Sequence, residues 1–510
     1  MQDPNPSLRL IAKSSMIIFI GVLLSKIFSY IYRIIISRLG PSDYGTLSIG
    51  LAIFGILGGL TMLGTETGLV KFISSYDQRK DQIKGVIYDS IRFVFPLSVM
   101  LSILLFIFAD YIAIGFFRNE NLGILLKILA IFVPINALRK IFLNSLIGFK
   151  KPQYETIAKA ITENLSKVII TAILMLLGYQ LAGAIIGYVL SILVSLIIAY
   201  YFLRYKTFNF FDKGVKEAYS TKEFYDYSLP LLLSIIVFIL ILWTDTLLLG
   251  YFRNAAEVGI YNAAMPTAQL LFIFPNALMV IFLPVISSIK ELKSMEFAKI
   301  FKTVTKWIIL INIIPLALFL IYSKQILNIV FGQAYVQGSM TLVILSIGFF
   351  LSYSVLTSNN VLLALNRTKL VFLNNLIAAA INVLLNIILI PRYGIVGAAT
   401  ATSISFIIMA ILMFSEAYYL TRIFPFNLNA LKIILSIIIP VIIINKIVLM
   451  YKINTIQSMI ITSVILLVLY SALLIMTKAL EKEDYLILNS LYKKIGLRIN
   501  FVDDLFKRLE

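Results

Sequence analysis

Four polar side chains share one stripe of the first long apolar stretch of this chain. Lys26, Tyr30, Arg33 and Ser37 lie at i, i+4, i+7 and i+11, which puts them on one face of a helix. The rest of that stretch is apolar. A cation buried in hydrocarbon costs about 2.5–3.5 kcal/mol, so two on one stripe are expected to face water or hold an anion. The plainer alternative is that Arg33 snorkels to the membrane surface and only Lys26 lies deep. Glu66, in Gly64-Thr65-Glu66-Thr67-Gly68, has Lys71 five residues on. The two are read either as gating or ion-coupling groups or as an interfacial pair. Glu163 and Lys167 stand at i, i+4, a spacing that lets them pair within one helix, with ion coupling as the alternative. Asp245 is a deeply placed acid in another apolar stretch. Isolated membrane acids mark a pathway or a partner, so it is expected to neutralise a cation of the first stripe or to join a cation site.

These readings require a membrane, and composition supplies it. Of 510 residues 60% are hydrophobic and 14% charged, against roughly 25% charged in a soluble domain. A mean hydropathy of +0.96 leaves too little polar surface to cover a water-soluble globule. Backbone groups in hydrocarbon must pair internally, which leaves helices or a closed barrel. Apolar runs here match the roughly 20 residues of a spanning helix, not the ten-residue alternation of barrel strands. The fold class is therefore an all-α polytopic membrane protein. A net charge of +19 reads as basic cytoplasmic loops, not as nucleic-acid binding. With no Cys and no His, disulfides, thiolate chemistry and the commonest metal ligand are excluded, and no cofactor or metal is implied.

Fourteen spans are expected. Eight lie near Ile11–Ser37, Tyr44–Leu63, Ile87–Ala109, Leu122–Ile147, Ile157–Leu177, Leu181–Leu203, Tyr227–Leu249 and Val258–Ile286. Six more lie near Val304–Tyr322, Met340–Leu363, Leu370–Ile390, Ile395–Leu420, Leu431–Leu449 and Gln457–Met476. The loops after even-numbered spans carry roughly three times as many Lys and Arg as the others, which places both termini in the cytoplasm. The polar N-terminus lacks a cleavable signal pattern, so the first span is expected to remain. Residues 477–510 mix charges with Tyr485, Leu486, Leu488, Leu491 and Ile495, the pattern of an amphipathic cytoplasmic tail.

The chain also repeats. Asp43-Tyr44-Gly45 opens span 2 and Glu257-Val258-Gly259 opens span 8, 214 residues later. Gly178-Tyr179-Gln180-Leu181-Ala182-Gly183-Ala184 joins spans 5 and 6, and Arg392-Tyr393-Gly394-Ile395-Val396-Gly397-Ala398 joins spans 11 and 12 at the same offset. This implies a six-helix unit duplicated in parallel, with an axis along the membrane normal and a site between the halves. The expected partition is residues 1–205 (spans 1–6), a linker over 206–226, residues 227–421 (spans 7–12), spans 13–14 over 422–476, and the tail.

Two segments now resemble a known family. Arg38-Leu39-Gly40-Pro41-Ser42-Asp43-Tyr44-Gly45 resembles a signature of polysaccharide flippases. Thr244-Asp245-Thr246-Leu247-Leu248-Leu249-Gly250-Tyr251 followed by Ala256-Glu257-Val258-Gly259-Ile260-Tyr261-Asn262-Ala263-Ala264 resembles another segment of the same family. The family is the Wzx-type exporters of the multidrug/oligosaccharidyl-lipid/polysaccharide superfamily, which also holds the lipid II flippase. The resemblance implies two lobes rocking about a central cavity and a cargo of prenyl-phosphate or pyrophosphate-linked oligosaccharide. It further implies membrane-lipid contacts, a place in the cell membrane, no enzymatic step and a monomer, with Na⁺ or H⁺ as possible coupling ions. The lipid II flippase has a basic pair on its first helix, matching Lys26 and Arg33. In that light Asn375, Asn382 and Asn386, on one face of span 11, suit sugar hydroxyls, although interhelical hydrogen bonding is the commoner use of membrane Asn. The rival reading is a multidrug antiporter of the same fold. Such transporters rely on an acid in the first span, and none occurs between Asp3 and Asp43. A membrane glycosyltransferase would need paired carboxylates or a larger loop.

Overall fold

Span 3 shows why the chain folds as it does. Met100, Ile103, Ile107 and Tyr111 form a continuous outward stripe, and Ile107 is 65% exposed. Such a stripe would be untenable in water. In lipid it is the solvated face, and the polar groups turn inward instead. The computed structural model describes residues 6–76, 79–212, 214–219, 221–289, 291–451, 453–479 and 484, with residues 6–19 given by backbone alone. Among the described residues every regular element is helical.

Among the described residues, twelve helical stretches are long and apolar enough to cross a bilayer. One of them, Thr368–Thr421, has 54 residues. At 1.5 Å per residue it would extend about 80 Å, far beyond the roughly 30 Å of hydrocarbon. It breaks at Gly394, whose φ of 53° and ψ of −131° are non-helical, and so supplies spans 11 and 12. Span 5 is the remaining one. It runs through Pro152–Glu155, a π-helical segment Thr156–Glu163 and Asn164–Leu176, and Glu155, Lys159, Glu163 and Lys167 interrupt its apolar run. The fourteen spans expected from the sequence are thus present.

Several spans are interrupted. Span 2 consists of Pro41–Leu60 and Thr65–Ser75, span 7 of Thr221–Ser228 and Leu231–Phe252, and span 8 turns through a 3₁₀ segment Gln269–Phe272 between Ala255–Ala268 and Ile273–Ser287. Span 9, Met295–Val330, kinks at Tyr322. The junction of spans 5 and 6 has left-handed Gly178 and Gln180, with φ of 89° and 40°. Gln180 lies at the same repeat position as Gly394, so both halves turn at corresponding places.

Grouped by contact, the chain forms two compact units. One comprises Met1–Pro266, Leu327–Gly338 and Ala379–Ala401, the other Thr267–Ile326, Ser339–Ala378 and Thr402–Glu510. The first has a core around Met62, Leu69, Phe72, Val86, Phe142, Phe210 and Phe224, and the second a core around Phe282, Phe297, Phe301, Ile308 and Ala417. In the second unit Lys306 is fully buried and donates to Asp484 over 2.6 Å. Beyond Ala479, and apart from Asp484, the expected amphipathic tail lies outside the described residues.

Candidate functional site

The π-helical segment of span 5 sets out the polar groups of the first half. A π turn spaces its hydrogen bonds at i→i+5 and recurs at functional positions. It ends at Glu163, so that Asn164 and Lys167 follow within one α-helical turn. Asn164 is buried and used at both ends of its amide. Its Oδ1 accepts from Ser29 Oγ at 3.0 Å and Lys167 Nζ at 2.8 Å. Its Nδ2 donates to Ser25 Oγ at 3.0 Å and to the carbonyls of Ala160 and Lys159. Span 1 is thereby pinned through two serines one turn apart. Lys167 Nζ also lies over the rings of Tyr32 at 5.1 Å and Tyr188 at 5.7 Å.

The pairing of Glu163 with Lys167 that the spacing allows is not formed. Glu163 takes Arg139 of span 4 as its ion-pair partner, both being largely buried. Arg139 also donates to Asn136 Oδ1 from Nε at 3.2 Å and Nη2 at 2.7 Å. The planar guanidinium presents its donors in a rigid fork, so Arg139 holds Glu163 and Asn136 in one fixed geometry. The expected pair of Glu66 and Lys71 is likewise replaced. Lys140 of span 4 donates to Glu66 Oε1 at 2.8 Å and to the carbonyl of Gly58 at 2.9 Å, just before span 2 breaks. Lys71 instead lies 3.6 Å above the ring of Tyr227.

Of the span 1 stripe, Lys26 is exposed, Tyr30 and Arg33 are half-buried, and Ser37 is buried. Tyr30 meets Phe331 edge to face at 5.9 Å. Arg33 donates to Tyr44 Oη at 3.1 Å, and Tyr44 donates to the carbonyl of Asn262 at 2.8 Å. Both segments that carry the family resemblance therefore meet. Their glycines face each other: a Cβ on Gly45 would sit 2.6 Å from the Ala255 carbonyl carbon and 2.8 Å from Gly259 N. A Cβ on Gly259 would sit 2.8 Å from the Pro41 carbonyl carbon and 3.1 Å from Gly45 N. The repeat offset that relates Gly45 to Gly259 also relates Pro41 to Ala255. The contact is reciprocal, as across a two-fold axis. Only glycine allows the backbones so close. Tyr335 closes the same end, donating to the Ser37 carbonyl at 2.9 Å.

Asp245 is 4% exposed and is held by second-half groups of its own unit. It accepts from Tyr261 Oη, from Asn386 Nδ2 at 2.7 Å and from Asn382 Nδ2 at 3.3 Å. Asn386 also donates to Asn382 Oδ1 at 3.0 Å, and its own Oδ1 is buried without a hydrogen-bond partner. With the amides turned, this cluster presents carboxylate, amide and phenol oxygens, a donor set suited to a hard cation. Asn375 does not join it; its neighbour Asn374 is the engaged amide, donating to Glu416 at 2.7 Å. No group of three or more His, Cys, Asp or Glu that would hold a metal occurs among the described residues. Arg139, Lys140, Asn136 and Asn164 were not singled out from the sequence. The two cations carry the same signal as Lys26, a charge within an apolar span.

A family model described as polysaccharide biosynthesis protein matches residues 11–290. The chain is 26% identical over 384 residues to a putative O-antigen transporter of Shigella flexneri, covering 74% of this chain and 90% of that one. It is 32% identical over 183 residues to a probable low-salt glycan biosynthesis flippase, Agl15, of Haloferax volcanii, covering 35% of this chain and 38% of that one. Among solved structures it resembles the lipid II flippase MurJ in an inward closed conformation, with a TM-score of 0.71 at 16% identity, over 90% of this chain and 98% of that one. It also resembles an inward-facing multidrug resistance transporter of the MATE family, with a TM-score of 0.63 at 14% identity, over 78% and 94%.

Proposed function

The chain belongs to the family of polysaccharide biosynthesis proteins, and from that premise we propose that it flips a lipid-linked oligosaccharide across the membrane. Charge carries this reading. Spans 1, 4 and 5 carry Lys26, Arg33, Arg139 and Lys167, and of these Arg139 is ion-paired, with Glu163. Cations embedded at membrane depth and not matched by acids draw an anion. A phosphate or pyrophosphate head group meets that need while its prenyl tail stays in lipid. Relatives named as an O-antigen transporter and a glycan biosynthesis flippase support the same class of cargo. A cationic drug suits such surroundings poorly.

Transport proceeds by alternating access of residues 1–205 and 227–421, joined through 206–226, with residues 422–476 appended. The distribution of basic loops favours the cell's cytoplasmic membrane with both termini inside, so the Gly45–Gly259 seam closes the outer end. One chain carries both halves and acts as a monomer. It moves its cargo without making or breaking a covalent bond. Asp245 with Asn382 and Asn386 supplies the coupling, taking up Na⁺ among its oxygens or H⁺ on its carboxylate.

Proteoliposomes loaded with a prenyl-pyrophosphate oligosaccharide test this. Lys26→Ala and Arg33→Ala should each reduce transfer to the opposite leaflet at unchanged abundance, because removing an intramembrane charge removes an insertion cost. Wild-type transfer by both variants would overturn the anion-holding role.

A further inference from the structure

The stretch between spans 6 and 7 looks in sequence like a flexible tether, but its contacts are those of a fixed part. Lys84, in the first turns of span 3, is 5% exposed. Its ammonium donates to the carbonyls of Asp212 at 2.9 Å and Val215 at 2.8 Å, and meets Glu217 Oε1 at 3.0 Å. All three of its N–H donors are thus directed at the connecting segment. The next residue is Gly85, where a Cβ would come within 2.7 Å of the Ala218 carbonyl carbon. Ala218 N donates to the Asp81 carbonyl at 3.1 Å. Further along, Thr221 Oγ1 donates to Asp89 Oδ1 at 2.8 Å and Tyr225 Oη to the Asp89 carbonyl at 3.3 Å. Phe224 is fully buried and meets Phe72 edge to face at 5.7 Å. Gly68 leaves room for Ser228, since a Cβ there would meet Phe224 at 3.0 Å and press on the Ser228 hydroxyl.

We propose that Lys84 is a positioning residue that fastens residues 212–228, including the helical foot Thr221–Ser228 of span 7, to the first half. The flexing point during transport is then the break at Leu229–Pro230, not the connecting segment. This is where the chain lacks regular structure between the two helices of span 7, and Pro230 offers no N–H to bridge it. Tethers between moving bodies are commonly solvated and loosely held; this one is sewn to span 3 before span 7 begins, and the foot of span 7 is packed on span 2. The inference rests on alternating access as proposed above.

The chain has no native cysteine, so Asp81→Cys with Ala218→Cys gives a single cross-linkable pair at two hydrogen-bonded, solvent-reachable positions. In proteoliposomes the oxidised pair should flip lipid-linked oligosaccharide at the rate of the reduced pair. Lys84→Met should lower that rate about tenfold, the loss of a buried charged hydrogen-bonding group. Oxidising the cysteine pair in the Lys84→Met background should restore it, and reduction should abolish the rescue. A rescue of that kind separates positioning of the segment from any other role of the ammonium. Transport that is normal when the pair is reduced and lost on oxidation would overturn the proposal, because the segment would then have to undock. Failure of Lys84→Met to fold leaves the oxidised pair in the parent chain as the deciding comparison. No transport by the reduced pair or the parent chain would instead remove the flippase reading itself.

Discussion

Alanine at position 45 tests the seam between spans 2 and 8. Its methyl group would overlap the Ala255 carbonyl oxygen and lie 2.6 Å from the carbonyl carbon. Ordinary contact begins at 3.4 Å, so the backbones must part by roughly 0.8 Å or more. Overpacking of this kind costs about 1–3 kcal/mol. Within one helix Gly→Ala would otherwise be favourable by about 0.5–1 kcal/mol, but that gain is shared by every conformation. If only one conformation contains the seam, the equilibrium shifts away from it by about 5-fold to about 150-fold, at 1.4 kcal/mol per decade. Spin labels at Ser42→Cys and Ala256→Cys flank the seam at equivalent repeat positions. The parent chain should show a dominant short distance, and Gly45→Ala a longer population at its expense. Gly259→Ala should do the same, and the double variant should fall short of the sum, since a seam already parted accommodates the second methyl group. Gly115→Ala is the control, because a Cβ there meets nothing nearer than 3.8 Å. Identical distance distributions for parent and Gly45→Ala in an active protein would refute the reasoning.

Two further outcomes are expected. Arg139→Ala leaves the largely buried Glu163 without its guanidinium and should lower stability by about 3–5 kcal/mol, read as a fall in the detergent-solubilised Tm. Adding Glu163→Ala should recover much of that loss, and an unchanged Tm for Arg139→Ala would show that the pair contributes little. Reporters fused after Glu510 and inserted between Arg204 and Asp226 should both lie in the cytoplasm, and a signal from the opposite side at either point would invert the assigned topology.

The sequence made the spans legible because hydrocarbon demands long apolar runs whatever packs beside them, and the break at Gly394 followed from the repeat. It made individual charges legible for the same reason: a cation at Lys26 or an acid at Asp245 stands out against its surroundings. Partners were another matter. Glu66 and Glu163 each had a basic residue four or five positions on, and each instead pairs with a neighbour on span 4. Helical spacing reports which groups are within reach along one element, not which neighbouring span presents a better donor. The π-helical segment before Glu163 has no reliable mark in the apolar pattern. Tyr44 and Tyr261 lay inside recognised segments, yet their bonds to Asn262 and Asp245 appear only once spans 2, 7 and 8 are in place.

The reciprocal contact of Gly45 and Gly259 has a consequence for ancestry. A six-helix ancestor working as a symmetric homodimer would place that glycine against its own copy, so any substitution would be suffered twice at one spot. After fusion each copy mutates alone, and the halves are free to drift apart wherever they do not touch across the axis. Their charges show that drift. At the repeat offset Lys26 corresponds to Leu240 and Arg33 to Leu247, while Asp245 corresponds to Ile31. At these positions the first half carries cations and the second an acid, a difference closed to a homodimer whose two subunits share one sequence. The glycines at the axis remain alike because there each half is still the other's mould.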